Sequence, residues 1–174
     1  SDWVNDFQQR ITFHGDLTGI TEPSILASVV SGDGSASVTT GAGTIVQAGA
    51  ALVLQSSLNL EPITLNGNGI EPNYGGHYTG ALRSLTGANT YTGTLTLNTD
   101  ATIGVDSGST LIIASANPLA IVDHGLGYNL TKEGVGTLVL SSAADYAGAG
   151  AGTFVNQGIL NVRDSKALGA ADGT

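Results

Sequence analysis

Cationic side chains are scarce in this chain. Lys and Arg together number 5 against 14 Asp and Glu, a formal net charge of −9. No Lys/Arg cluster offsets that excess, so a nucleic acid would be repelled, and an anionic membrane surface would not attract the chain. Cysteine is absent, which fits an extracellular protein that dispenses with disulfides. No apolar run approaches the roughly 18 residues that a membrane-spanning helix needs. Nothing at Ser1 reads as a basic-then-apolar signal peptide, so the signal of a secreted protein would lie upstream. Charged residues of both signs make up only 11%, well below the usual quarter of about 25%. The surface must then be covered by Thr, Ser, Asn, Gly and Ala. The helical period is missing as well: no long segment carries apolar residues at 3.6 spacing.

What is present is alternation and turns. The chain has 174 residues, 41% of them apolar, and 26 glycines. That is enough for a domain with a core built of short strands and tight turns. The alternating runs are Arg10–His14, Ile25–Val30, Ser37–Thr40, Thr44–Gln47, Ala51–Gln55, Pro62–Asn66, Ala81–Leu85, Thr94–Asn98, Ala101–Val105 and Ser109–Ala114. Thr137–Leu140, Thr153–Val155 and Ile159–Val162 continue them. Turns are expected at Gly32–Gly34, Asn66–Gly69 and Thr86–Gly93, and a loop at Glu71–Gly80. Ser165–Ala171 has room for one helical turn at most.

The strands recur. The pairs Leu52/Leu54, Leu82/Leu85, Leu111/Ile113, Leu138/Leu140 and Leu160/Val162 read as equivalent positions. A second strand stands between them, at Ile63/Leu65, Leu95/Leu97 and Phe154/Val155. Intervals of roughly 22 to 30 residues are those of units that stack into solenoids. The expected fold class is therefore all-β, a parallel β-solenoid, with a β-sandwich as the alternative. Residues 1–48 are expected to be N-terminal coils or a cap, and residues 49–174 the solenoid repeats.

The stretch LTKEGVGTLVLSS…YAG…GTFVNQGILNV, from Leu130 to Val162, resembles the autotransporter-associated β-strand repeat, LTKxGxGTLTLSGxNTYTGxTxVxxGTLxV. GALRSLTGANTYTGTLTL, Gly80 to Leu97, is similar to a second, partial copy. GAALVLQSSLNLEPITLNGNGI resembles the segment that precedes such repeats in large bacterial surface proteins. The run Ala147–Gly152 is longer than the family's turn, and Asp145 stands where the family often has Thr. The resemblance implies a right-handed parallel β-helix at the bacterial cell surface or outside the cell. It implies a stalk-like or adhesin-like role, and it carries over no catalytic residue.

Candidate chemistry is sparse. Asp100, Asp106, Asp123, Asp145 and Asp164 flank strands or turns. A facing pair would suit glycoside hydrolysis, but Asp in turns more often caps its own backbone. The same residues could hold Ca²⁺, although the repeat of calcium-built β-rolls is missing. No other cofactor is expected. His14, His77 and His124 lack metal spacing. A triad of Asp123, His124 and Ser141 lacks a nucleophile-elbow motif. The Gly148–Gly152 run is followed by a strand, not by the helix that a phosphate cradle needs. Tyr78, Tyr91 and Tyr146 each precede a glycine by two residues. In stacked coils they would line one edge, either covering their own turns or forming a strip for sugar rings. The leading expectation is a structural stalk segment with no enzymatic role, whose partners are neighbouring repeats. A module binding glycans or a partner cell, and a polysaccharide-active β-helix enzyme, are the alternatives.

Overall fold

The computed structural model describes residues 26–29, 36–39, 43–70, 77–148 and 150–169. The expected strand Arg10–His14 and the Gly32–Gly34 turn lie outside them. The chain divides into two compact units, Ser1–Gly41 and Ala42–Thr174. In the first, β1 (Leu26–Val29) and β2 (Ala36–Thr39) pair antiparallel, with Leu26 opposite Thr39.

The second unit holds β3 (Thr44–Val46), β4 (Leu52–Leu54), β5 (Ile63–Gly67), β6 (Leu82–Ser84), β7 (Ala88–Tyr91) and β8 (Leu95–Val105). It continues with β9 (Thr110–Ile113), β10 (Ile121–Val122), β11 (Leu130–Glu133), β12 (Thr137–Leu140), β13 (Thr153–Val155) and β14 (Ile159–Val162). Strands this short cannot stand alone. The inner strands complete their ladders on the coils before and after, about 4.8 Å away, and the outermost ones pair on one side. All pairings among these strands are parallel. A sandwich of antiparallel hairpins is thereby excluded, and the unit is a parallel β-solenoid.

The coil has three faces. The first stacks β3, β5, the start of β8 and β10, with Thr44, Ile63, Leu95 and Ile121 in one column. The second stacks β4, β6, the end of β8, β11 and β13. Its central column is Leu52, Leu82, Ile103, Lys132 and Val155. The third stacks β7, β9, β12 and β14 in two inward columns: Asn89, Leu111, Leu138, Leu160 and Tyr91, Ile113, Leu140, Val162. The strand β8 serves two faces because it bends at Asn98–Asp100, where all three residues are exposed.

This register corrects the equivalence read from sequence. Leu52/Leu54 and Leu82 belong to the second face, whereas Leu111/Ile113, Leu138/Leu140 and Leu160/Val162 belong to the third. Phe154/Val155 likewise stacks on Thr131/Lys132 of the second face, not on Leu95/Leu97. All faces use short period-2 strands after a small turn, so periodicity alone cannot separate them. Two strands also went unread. Ala88–Tyr91 lies inside the expected turn Thr86–Gly93, and Leu130–Glu133 carries two charges.

Side chains seal the corner between the first and second faces. Asn66 Nδ2 donates to Val46 O (2.9 Å), and Asn98 Nδ2 donates to Asn66 Oδ1 (2.8 Å). Further along, Asp100 accepts from Asn129 N (2.8 Å) and Nδ2 (2.9 Å), and Asn129 Oδ1 accepts from Gly152 N (2.9 Å). At the corner between the second and third faces, glycine is required. Gly158 has φ +70°, and a Cβ there would stand 2.5 Å from the carbonyl oxygens of Gly134 and Gly136.

Candidate functional site

The three tyrosines expected along one edge occupy two environments. Tyr91 and Tyr146 are 0% and 1% exposed and pack within the apolar core. The Tyr91 hydroxyl shares its proton between Glu61 O (2.6 Å) and Thr94 O (2.8 Å). The Tyr146 hydroxyl lies 2.8 Å from Thr153 Oγ1. Burial pushes the Tyr91 phenol well above the usual tyrosine range and also raises that of Tyr146. Neither ring offers a face to solvent. Tyr78 differs: it is 37% exposed and lies in the segment just before β6.

The carboxylates are engaged one by one. Asp106 receives a fork from Arg83, Nε to Oδ1 at 2.8 Å and Nη2 to Oδ2 at 2.6 Å. Asp123 is 1% exposed and accepts backbone N–H bonds from Gly125 (2.9 Å), Gly127 (2.9 Å), Tyr128 (3.0 Å) and Ala147 (3.3 Å). It organises the loop after β10 and ties it to the next coil. His124 beside it is exposed, with φ +56° in the turn. Asp164 accepts from Lys166 N (2.8 Å), while Asp145 is exposed beside Val122. Among the described residues, no group of three or more His, Cys, Asp or Glu stands close enough to hold a metal ion.

Sequence reasoning passed over Lys132. It takes an inward position in the column of Leu82 and Ile103 and is 0% exposed. Its ammonium donates to the carbonyls of Glu133 (2.7 Å), Gly134 (2.5 Å) and Gln157 (3.2 Å). It thus ties the turn after β11 to the turn after β13. Burial lowers its pKa to about 8, against the pull of the Glu133 carboxylate. The signal was there: a Lys at an inward position of an alternating strand is a buried charge that needs acceptors.

The outer surface of the second face carries a pocket. Thr79 and Gly80 cross over Gly104. A Cβ at Gly104 would overlap Thr79 O, and one at Gly80 would overlap Gly104 N, so the crossing requires both glycines. Gly80 N donates to Asn68 O (3.1 Å), and Ile70 N donates to Thr79 Oγ1 (3.1 Å), which holds residues 79–80 against residues 68–70. Between residues 77–79 and the sheet lies a cavity of about 80 Å³, lined by His77, Tyr78, Thr79, Arg83, Asp106 and Gln157, with Gly104 and Gly134 in its wall. Glu133 is buried behind His77. Its Oε1 accepts from Asn156 Nδ2 (2.7 Å), and its Oε2 lies 3.2 Å from His77 Nδ1 with no hydrogen bond among the described residues.

Coils that stack in register through recurring glycine turns, leucine columns and cross-coil side-chain ties define a repeat-built parallel β-solenoid. Residues 84–102 and 130–162 match the family described as passenger-associated-transport-repeat, and these stretches are similar to the repeat of autotransporter passengers. Such repeats belong to the secreted or surface-exposed part of those proteins. The match over 130–162 spans β11 to β14, and that over 84–102 overlaps the partial copy read at Gly80–Leu97. No curated protein and no solved structure matches the chain.

Proposed function

We propose that this segment acts mechanically, as a stiff length of passenger stalk that carries other parts of its protein away from the cell, with no catalysis of its own. The continuous parallel ladder on all three faces supports this reading most directly. The third face runs from Tyr91 through Ile113 and Leu140 to Val162 in unbroken register. Each coil adds about 4.8 Å along the axis. Solenoids of this kind gain stability by near-neighbour additivity, so length costs little in fold integrity. The carboxylates most suited to glycoside chemistry are held in structural roles, Asp100 by Asn129 and Asp106 by Arg83.

Joining further copies of residues 130–162 in series tests the stalk reading. Small-angle scattering should show the longest dimension growing by about 4.8 Å per added coil. Growth in steps of tens of ångströms, as for separate beads, would refute it. Incubation with acidic polysaccharides should release no reducing ends. Release that disappears in Asp100→Asn or Asp106→Asn would make the segment an enzyme.

A further inference from the structure

Beyond the stalk role, we propose that the pocket between residues 77–79 and the second face is a binding subsite for one neutral sugar ring, with Tyr78 as its apolar wall and Asp106, Gln157 and His77 as its polar partners. The stalk reading stands whichever way this proposal falls.

The lining is charged yet internally matched. Arg83 already forks onto Asp106 at 2.8 and 2.6 Å, and His77 faces the Glu133 carboxylate at 3.2 Å. An anion would have to draw Arg83 off Asp106, and a cation would compete with the guanidinium for the carboxylate. Both exchanges give up a charge-assisted pair. A polyol avoids this cost. Its hydroxyls donate to the remaining lone pairs of Asp106 and accept from the Gln157 amide, and neither contact disturbs the ion pair. Tyr78 adds what a sugar needs and a small polar ion does not. Its ring is part-exposed at the pocket's edge, an apolar surface for the C–H face of a pyranose. Gly104 and Gly134 put no side chain into the wall. The room, about 80 Å³, is less than a pyranose ring needs for enclosure, so the ring seats one edge with its hydroxyls in the pocket and leaves the rest in solvent. Behind His77, Glu133 Oε2 is a buried acceptor with no hydrogen bond among the described residues.

Saturation-transfer difference NMR on the full chain, with free glucose, galactose, mannose, rhamnose and N-acetylglucosamine as probes, tests the proposal. At least one sugar should receive saturation at its ring C–H protons, with a dissociation constant on the order of 1 mM. Tyr78→Ala and Gln157→Ala should each weaken that binding about ten-fold or more, roughly one step of 1.4 kcal/mol. Thermal melts followed by circular dichroism should match the parent chain, because neither side chain is in the core. Val53→Ala, on the outside of β4, should bind as the parent does. Silence of the folded parent chain towards every sugar overturns the proposal, as does binding that survives both pocket substitutions. So does displacement of the bound sugar by inorganic phosphate or acetate, which would assign the pocket to an anion.

Discussion

Lys132 shows how a single residue sets a pH dependence in a chain with few charges. Its folded pKa, about 8, lies below the ordinary lysine value of 10.5. Between those values the unfolded chain binds more protons than the folded one, so stability rises with pH across that window. The slope cannot exceed about 1.4 kcal/mol per pH unit for one proton. Tyr91 and Tyr146 act in the opposite sense. Their folded pKa values are raised, so the stability they contribute is complete below the ordinary phenol value of 10 and is lost above it. Urea denaturation from pH 7 to 11 should therefore show a rise above pH 8 and a fall beyond pH 10. Lys132→Met should flatten the rise and keep the fall, and a rise that persists in that variant would remove Lys132 as its origin. Asp123 offers a second test. Four backbone donors converge on its carboxylate, and an amide cannot accept them all. Asp123→Asn should cost about 2–3 kcal/mol, whereas Asp145→Asn, at an exposed site, should stay within about 0.5 kcal/mol.

At the scale of strands and turns, glycine content matters less than glycine position. Gly158 and Gly87 both have positive φ, +70° and +76°. A Cβ at Gly87 meets nothing, while one at Gly158 runs into the carbonyls of Gly134 and Gly136 in the previous coil. Gly87→Ala should thus cost only the left-handed penalty of about 1 kcal/mol. Gly158→Ala should cost more than twice that, because it also forces the coils apart. Equal losses in chemical denaturation would mean that the coils yield more easily than the contacts indicate. The same scale explains why the strands were largely legible and their stacking was not. Period-2 runs such as Thr137–Leu140 and Ile159–Val162 name themselves as strands. Nothing in Leu82-Arg83-Ser84 tells that it stacks on Ile103-Gly104-Val105 and not on Leu111-Ile112-Ile113. Ala88–Tyr91 was hidden because Asn89, close to a Gly, reads as a turn residue. Inside the coil it is a column residue whose amide donates to Ser84 Oγ and Thr86 O, both at 2.9 Å.

At the scale of the whole solenoid unit, the columns of the second and third faces end in apolar residues at the last coil described. Val155 and Val162 hold inward positions yet are 47% and 41% exposed, since no described strand stacks beyond them. Their contribution to stability should depend on whether another coil covers them. Val162→Ala should lower stability by less than about 0.5 kcal/mol in this chain and by about 1–2 kcal/mol once a further copy of residues 130–162 is joined after Thr174. Thermal unfolding of the four chains checks this, and an unchanged cost would mean that added copies do not dock on β14.

The amino-acid sequence alone determined the all-β class, the recurrence of the strand unit and the likeness of residues 130–162 to a passenger-type repeat, because alternation and glycine punctuation are local and survive without knowledge of contacts. Only the tertiary structure decided which strands share a face, that Tyr91 and Tyr146 turn inward while Tyr78 stays out, and that Lys132, Glu133 and Asp123 are buried. Those outcomes depend on register between residues a full coil apart. A three-residue strand does not encode its partner; the stack of the whole coil selects it.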